Sequence, residues 1–136
     1  MSEKAPPLSV VVVDDESSIG TLCELKFRKA IRNGEVHLHF FENAKDCLHY
    51  LETTDRRPGL EVLLTDINMP EVSGYELLRK VKQHYPTIGV YMMSAYDDEL
   101  SIRKSFDLGA QGYFTKPVNY NELKARLSKE YGLELA

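Results

Sequence analysis

Apolar runs alternate with amphipathic stretches along the whole chain. Leu8 to Val13 is β-branched and nearly continuous in its apolar character, the pattern of a strand buried on both faces. Ser17 to Ala30 follows a helical period, with Ile19, Leu22, Cys23, Phe27, Ala30 and Ile31 as its stripe, and Asn33-Gly34 is a stop signal. Val36 to Phe41 predicts a second strand. Asn43 then caps a helix carrying Ala44, Cys47, Leu48 and Leu51, and Thr53 to Gly59 is a polar loop. Glu61 to Thr65 is a third strand. Ser73 precedes a helix with Leu77, Leu78 and Val81 inward, ending before Pro86. Ile88 to Met93 is a fourth strand. Asp97 to Leu108 is a weaker helix, whose apolar residues Leu100, Ile102 and Phe106 form a broken stripe among many charges. Gly109 and Gly112 bracket a turn into the short strand Tyr113 to Thr115. Asn119 opens a last helix carrying Tyr120, Leu123, Leu127 and Tyr131.

Five strands alternating with five helices predict an α/β fold: one parallel sheet, doubly wound, with flanking helices on both faces. Right-handed crossovers leave few topologies for a chain of 136 residues. The length suits one domain with a substantial core. Residues 1–7 read as a short polar leader, without the apolar centre of a signal peptide.

Charge and composition narrow the function. A net charge of −4 gives no basic footprint for direct nucleic-acid binding. Tyr75, Tyr85, Tyr91 and Tyr96 lack the interleaved basic residues of a base-stacking surface. No apolar stretch approaches the roughly 20 residues of a membrane span, so a cytoplasmic protein is expected. Cys23 and Cys47 lie in helical apolar patterns without a CxxC neighbour and are read as reduced core thiols. There is no GxxxxGK[ST] loop and no GxGxxG after the first strand. His37 and His39 share one strand face. With no third ligand nearby in the sequence they are read as solvent-facing or edge residues, and His49 and His84 as surface helix residues.

The candidate chemistry lies at the strand ends. Asp14 and Asp15 follow the first strand, Asp66 the third, Ser94 the fourth and Lys116 the fifth. Parallel strands carry all of these ends to one rim. Each residue alone is as readily a cap, a turn former or a satisfied hydroxyl. Together they put three carboxylates, an ammonium and a hydroxyl in one place. Three close carboxylates repel, and a divalent cation relieves the conflict. An all-oxygen donor set favours a hard ion such as Mg²⁺, which keeps several waters and accepts phosphate oxygens. A lysine and a hydroxyl on the same rim suit a phosphoryl group, and an Asp can act as the nucleophile that carries it.

These motifs resemble the receiver domains of two-component response regulators, the single-domain chemotaxis regulators among them. The likeness rests on Asp14-Asp15-Glu16, on Asp66-Ile67-Asn68-Met69-Pro70 with Gly74, on Ser94-Ala95, and on Gly109-Ala110 with Tyr113 and Lys116-Pro117. It implies a flavodoxin-like sheet in the order 2-1-3-4-5, a receiver domain over residues 8–132 and a tail over 133–136. It implies a phosphoacceptor switch and not a metabolic enzyme, with only self-catalysed phosphotransfer and dephosphorylation. Asp66 would take the phosphoryl group from a sensor histidine kinase or a histidine phosphotransfer protein. Asp15, Asp66 and the backbone carbonyl of Asn68 would hold Mg²⁺, or Mn²⁺ in its place, with Asp14 acting through water. Lys116 would pair with Asp66 and then with the phosphoryl oxygens. Ser94 would draw its loop inward and Tyr113 would turn with it. Asn68 and Tyr96 would flank phosphoryl access, with Tyr96 hindering the attacking water, and the Lys116-Pro117 bond would be cis. The fourth predicted helix, fifth strand and fifth predicted helix would face an output partner or effector domain, and a phosphorylation-dependent homodimer fits the same scheme. Two rivals are an aspartate-nucleophile phosphohydrolase and a phosphorylation-independent interaction module. Asn68 stands where the hydrolase pattern has a second Asp, and the complete acidic set argues against the module.

Overall fold

The computed structural model describes residues 6–136, so residues 1–5 of the expected leader lie outside the described residues. Five parallel strands form one sheet in the order β2-β1-β3-β4-β5, the flavodoxin-like arrangement expected. They are β1 (Leu8–Val13), β2 (Val36–Phe41), β3 (Glu61–Asp66), β4 (Gly89–Ser94) and β5 (Gly112–Thr115). Period-two alternation splits each central strand between two cores. Val10, Val12, Val62 and Leu64 pack with Cys23, Phe27, Leu123 and Leu127 on one face. Val11, Val13 and Leu63 pack with Cys47, Leu51, Leu77 and Val81 on the other. Both cysteines are buried and free, as expected.

The helices number six among the described residues, not five. The predicted helix from Ser17 to Ala30 is divided into α1 (Ser17–Lys26) and α2 (Arg28–Arg32). Phe27 stands between them with φ −96° and ψ 6°, well away from helical ψ, while its side chain is fully buried. The N–H of Phe27 still donates to Cys23 and that of Ile31 to Phe27, so helical hydrogen bonds run up to and on from the break. The stripe is also narrower than expected. Leu22 and Ile31 reach the surface while Cys23, Phe27 and Ala30 face the core. A Cβ on Gly20 would lie 2.7 Å from the Phe40 ring, so this glycine lets α1 approach β2 closely.

The remaining helices are α3 (Ala44–Thr53), α4 (Gly74–His84), α5 (Glu99–Asp107) and α6 (Tyr120–Tyr131). Side chains cap each of them: Asn43 accepts from the N–H of Asp46, Ser73 from Glu76, Asp98 from Ser101 and Asn119 from Glu122. The Asp98 cap starts α5 two residues later than the apolar pattern suggests. Leu100 is 77% exposed, so α5 turns two of its three predicted apolar residues, Leu100 and Phe106, toward solvent. Residues 133–136 fold back on the body: Leu133 and Leu135 pack on the first core, and the N–H of Ala136 donates to Glu35 at 3.1 Å. No helix of the described residues is long and apolar enough to cross a membrane.

Candidate functional site

The carboxyl ends of β1, β3, β4 and β5 converge as the strand order requires. Ladder pairs set Val13 beside Thr65, Asp66 beside Met93 and Ser94 beside Thr115. The first residues past β1 are therefore held against the last residue of β3. Asp14, Asp15 and Asp66 each bring an oxygen within 4.8 Å of the others. Asp14 is fully buried, Asp66 nearly so, and Asp15 is exposed.

Asp14 is heavily bonded for a buried carboxylate. One oxygen accepts from the N–H of Glu16 at 2.9 Å and the other from Lys116 Nζ at 2.6 Å. Lys116 also lies 3.5 Å from Asp66. The lysine thus bridges two carboxylates, and its tighter partner is Asp14 where the family likeness implied Asp66. The reason is position: the backbone N–H of Lys116 donates to the Ser94 carbonyl at 2.7 Å, which brings the side chain down across the rim from the β5 end. The Lys116-Pro117 bond is cis, as expected.

Charge is unbalanced here. Burial pushes the Asp66 carboxyl above its ordinary value, Lys116 opposes this, and Asp14 adds to it. Burial pulls the Lys116 ammonium down, but the Asp14 hydrogen bond and the charges of Asp14 and Asp66 outweigh it, leaving the group above its ordinary value. Three carboxylates face one ammonium. The all-oxygen donor set and the surplus negative charge fit a divalent hard cation such as Mg²⁺.

The loop after Asp66 returns on itself. The N–H of Gly74 donates to the Ile67 carbonyl at 2.7 Å, and a Cβ on Gly74 would lie 2.8 Å from the Ile67 Cα and closer still to the Asp66 carbonyl. Only glycine permits that approach. Glu71, at φ 66°, takes the left-handed turn that closes the loop. Asn68 is exposed at the mouth, and its N–H favours the charged form of Asp66.

Ser94, fully buried, accepts a hydrogen bond from the N–H of Tyr96 at 3.0 Å. Tyr113 donates its hydroxyl to the Tyr96 carbonyl at 2.5 Å. Ser94, Tyr96 and Tyr113 are therefore linked in series, and Tyr96 is 56% exposed beside the rim. Burial pushes the Tyr113 phenol up, with Ser94 opposing. One connection escaped the sequence reading. Tyr75, at the start of α4, donates to the Ser101 carbonyl of α5 at 3.2 Å, and Lys104 lies 4.4 Å above its ring. The acceptor is a backbone atom 26 positions away, and no side-chain pattern announces it.

The family model described as a response regulator receiver domain matches residues 10–128. The DNA-binding transcriptional regulator NtrC of Proteus hauseri is 36% identical over 121 residues, which is 89% of this chain and 24% of that protein. The chain thus spans about a quarter of the length of the curated relatives it matches. The signal receiver domain of an HD domain-containing protein from Pseudomonas fluorescens Pf-5 superposes with a TM-score of 0.82 at 20% identity, covering 97% of this chain and 92% of that one. The chemotaxis protein CheY4 of Vibrio cholerae superposes with a TM-score of 0.76 at 21% identity, covering 90% of this chain and 98% of that one. Both structures share the fold.

Proposed function

This chain belongs to the response regulator receiver domain family, and from that premise we propose that Asp66 is the phosphoacceptor of its two-component signalling switch. Receiver domains are regulatory phosphoacceptors and not turnover enzymes. The observation that carries the assignment is the convergence of Asp14, Asp15 and Asp66 within 4.8 Å, bridged by Lys116.

The donor is a phosphohistidine on a kinase or phosphotransfer protein. An Asp66 oxygen attacks phosphorus, the phosphorus–nitrogen bond breaks with its electron pair passing to the imidazole, and an acyl phosphate remains on Asp66. Asp15, Asp66 and the Asn68 carbonyl would hold Mg²⁺, with Asp14 acting through water. When bound, that ion supplies the positive charge that lets carboxylates and phosphoryl oxygens share one site. Lys116 leans from Asp14 toward the new phosphoryl oxygens as they gain charge. The Ser94 oxygen accepts from Tyr96, which leaves its own proton to donate to a phosphoryl oxygen.

Readout follows the same bonds. Moving Ser94 inward pulls the Tyr96 backbone, and Tyr113 follows because it is bonded to the Tyr96 carbonyl. The new charge-assisted contacts bias one of two arrangements of this loop. The face formed by α5, β5 and α6 is the output surface. Exposed Leu100 and Phe106 on α5 support that reading, because apolar side chains beside the switch are available to a partner.

Intact mass after incubation with Mg²⁺ and a small phosphodonor tests the assignment. One added phosphoryl group, absent in Asp66→Asn, is expected. An adduct that persists in Asp66→Asn, or none with any phosphodonor or histidine kinase, refutes it.

A further inference from the structure

A second polar constellation lies at the opposite end of the sheet from Asp66. The parallel ladder sets His37 of β2 beside Ser9 of β1, and Ser9 beside Glu61 of β3. These residues sit near the amino ends of their strands. His39, two residues along β2, shares the face of His37. The loop after α3 folds across this face, and the resulting cleft of about 210 Å³ brings together His37, His39, Tyr50, Asp55, Arg57 and Glu61.

The sequence offered two imidazoles and no third ligand. The tertiary fold supplies one. Asp55 is 16 positions beyond His39, yet it lines the same cleft. Among the described residues it makes no ion pair. Glu61 is less available, because its oxygens accept from Arg56 Nη1 at 2.9 Å and from the Arg57 N–H at 2.8 Å.

We propose that His37 and His39, with the Asp55 carboxylate, form a second cation site that takes a borderline divalent metal such as Zn²⁺. Two imidazoles and one carboxylate are a donor set for Zn²⁺ and not for Mg²⁺, which keeps to oxygen. Residues two apart on a strand are about 6.6 Å apart, so same-face imidazoles can converge on one ion between them. The His39 ring is already positioned by Tyr50, with ring centroids 4.8 Å apart. The three donors do not yet converge as tightly as Asp14, Asp15 and Asp66 do. His37 and Asp55 are exposed, and the site requires their side chains to rotate inward on binding the ion. Arg57 is the opposing charge in the lining, and it keeps the affinity below that of a closed structural zinc site. A bound ion ties edge strand β2 to the loop between α3 and β3, and so adds stability that grows with the logarithm of free ion over its dissociation constant. The site is independent of the phosphoacceptor assignment.

The test is titration of Zn²⁺ into the full chain, followed by calorimetry in a large excess of Mg²⁺ that occupies the Asp66 rim. One equivalent is expected to bind, with a rise in Tm and shifts of the His37 and His39 ring resonances, while those of His49 and His84 stay in place. Affinity should fall more than about tenfold in His37→Gln and in His39→Phe, since even outer-shell partners of metal ligands are worth that much. His39→Phe keeps a ring on Tyr50, and circular dichroism verifies that both variants are folded. Absence of Zn²⁺ binding, or an affinity unchanged in either histidine variant, overturns the proposal. An affinity unchanged in Asp55→Asn overturns the third ligand.

Discussion

Replacing Asp66 by Asn is expected to stabilise the protein when no divalent cation is present. The Lys116 ammonium, 3.5 Å from Asp66, attracts it by about 4.7 kcal/mol at an effective dielectric of about 20. An Asp14 oxygen within 4.8 Å repels it by at least about 3.5 kcal/mol on the same scale. Asp15 is exposed, and in water-like screening it adds about 1 kcal/mol of repulsion. The charge terms nearly cancel. What remains is the cost of burying the carboxylate, consistent with burial being the largest influence on Asp66. A neutral amide avoids most of that cost, and a gain of about 1–2 kcal/mol is expected. Urea denaturation of both proteins in chelator measures it. The sign with pH is fixed. Asp66 is raised in the folded state, so between its ordinary value and its raised value the folded protein binds more protons than the unfolded chain. Wild-type stability therefore falls as pH rises through that window, and the advantage of Asp66→Asn grows there and levels off above it. Mg²⁺ should narrow the gap, because it stabilises wild type by about 2.7 kcal/mol at 100 times its dissociation constant and the variant by less. A variant less stable than wild type in chelator at neutral pH, or an equal Mg²⁺ response in both, would refute the reasoning.

Lys116→Met leaves Asp14 fully buried with no ammonium, and a loss of about 3–5 kcal/mol is expected in the same urea assay. Gly74→Ala drives a Cβ into the Asp66–Ile67 backbone; a loss of about 1–3 kcal/mol and weaker Mg²⁺ binding by calorimetry are expected, and an unchanged Mg²⁺ affinity would show that the loop yields without moving Asp66. Tyr113→Phe removes the bond to the Tyr96 carbonyl, worth about 1 kcal/mol, and hydrogen exchange over 97–108 should quicken relative to α1. Tyr96→Ala strips the exposed ring beside the rim and should shorten the phosphoryl half-life, read by intact mass over time; an unchanged half-life removes any shielding role.

Much of this protein was legible in the chain because its elements are locally encoded. Five apolar runs are strands because the period of their side chains and their β-branched content leave no other way to bury them. Asn43, Ser73 and Asn119 mark helix starts because a cap bonds within its own first turn. Parallel strands then gather Asp14, Asp15, Asp66, Ser94 and Lys116 at one rim, which is a consequence of topology and needs no coordinates. Choices between partners on the same rim were not legible. Lys116 can reach either Asp14 or Asp66, and the position of its backbone beside Ser94 decides for Asp14. Leu22 and Ile31 fit the stripe of the first helix, but the bend at Phe27 and the width of the sheet beneath leave them at the surface. Asp55 beside His37 and His39, and Tyr75 beside Ser101, depend on how loops and helices lie across the sheet. The sequence alone determined which elements form and which end of the sheet is acidic, because those follow from period, capping and strand direction. Only the tertiary structure decided which charges pair and which side chains share a cleft, because these depend on distances through space that no spacing along the chain records.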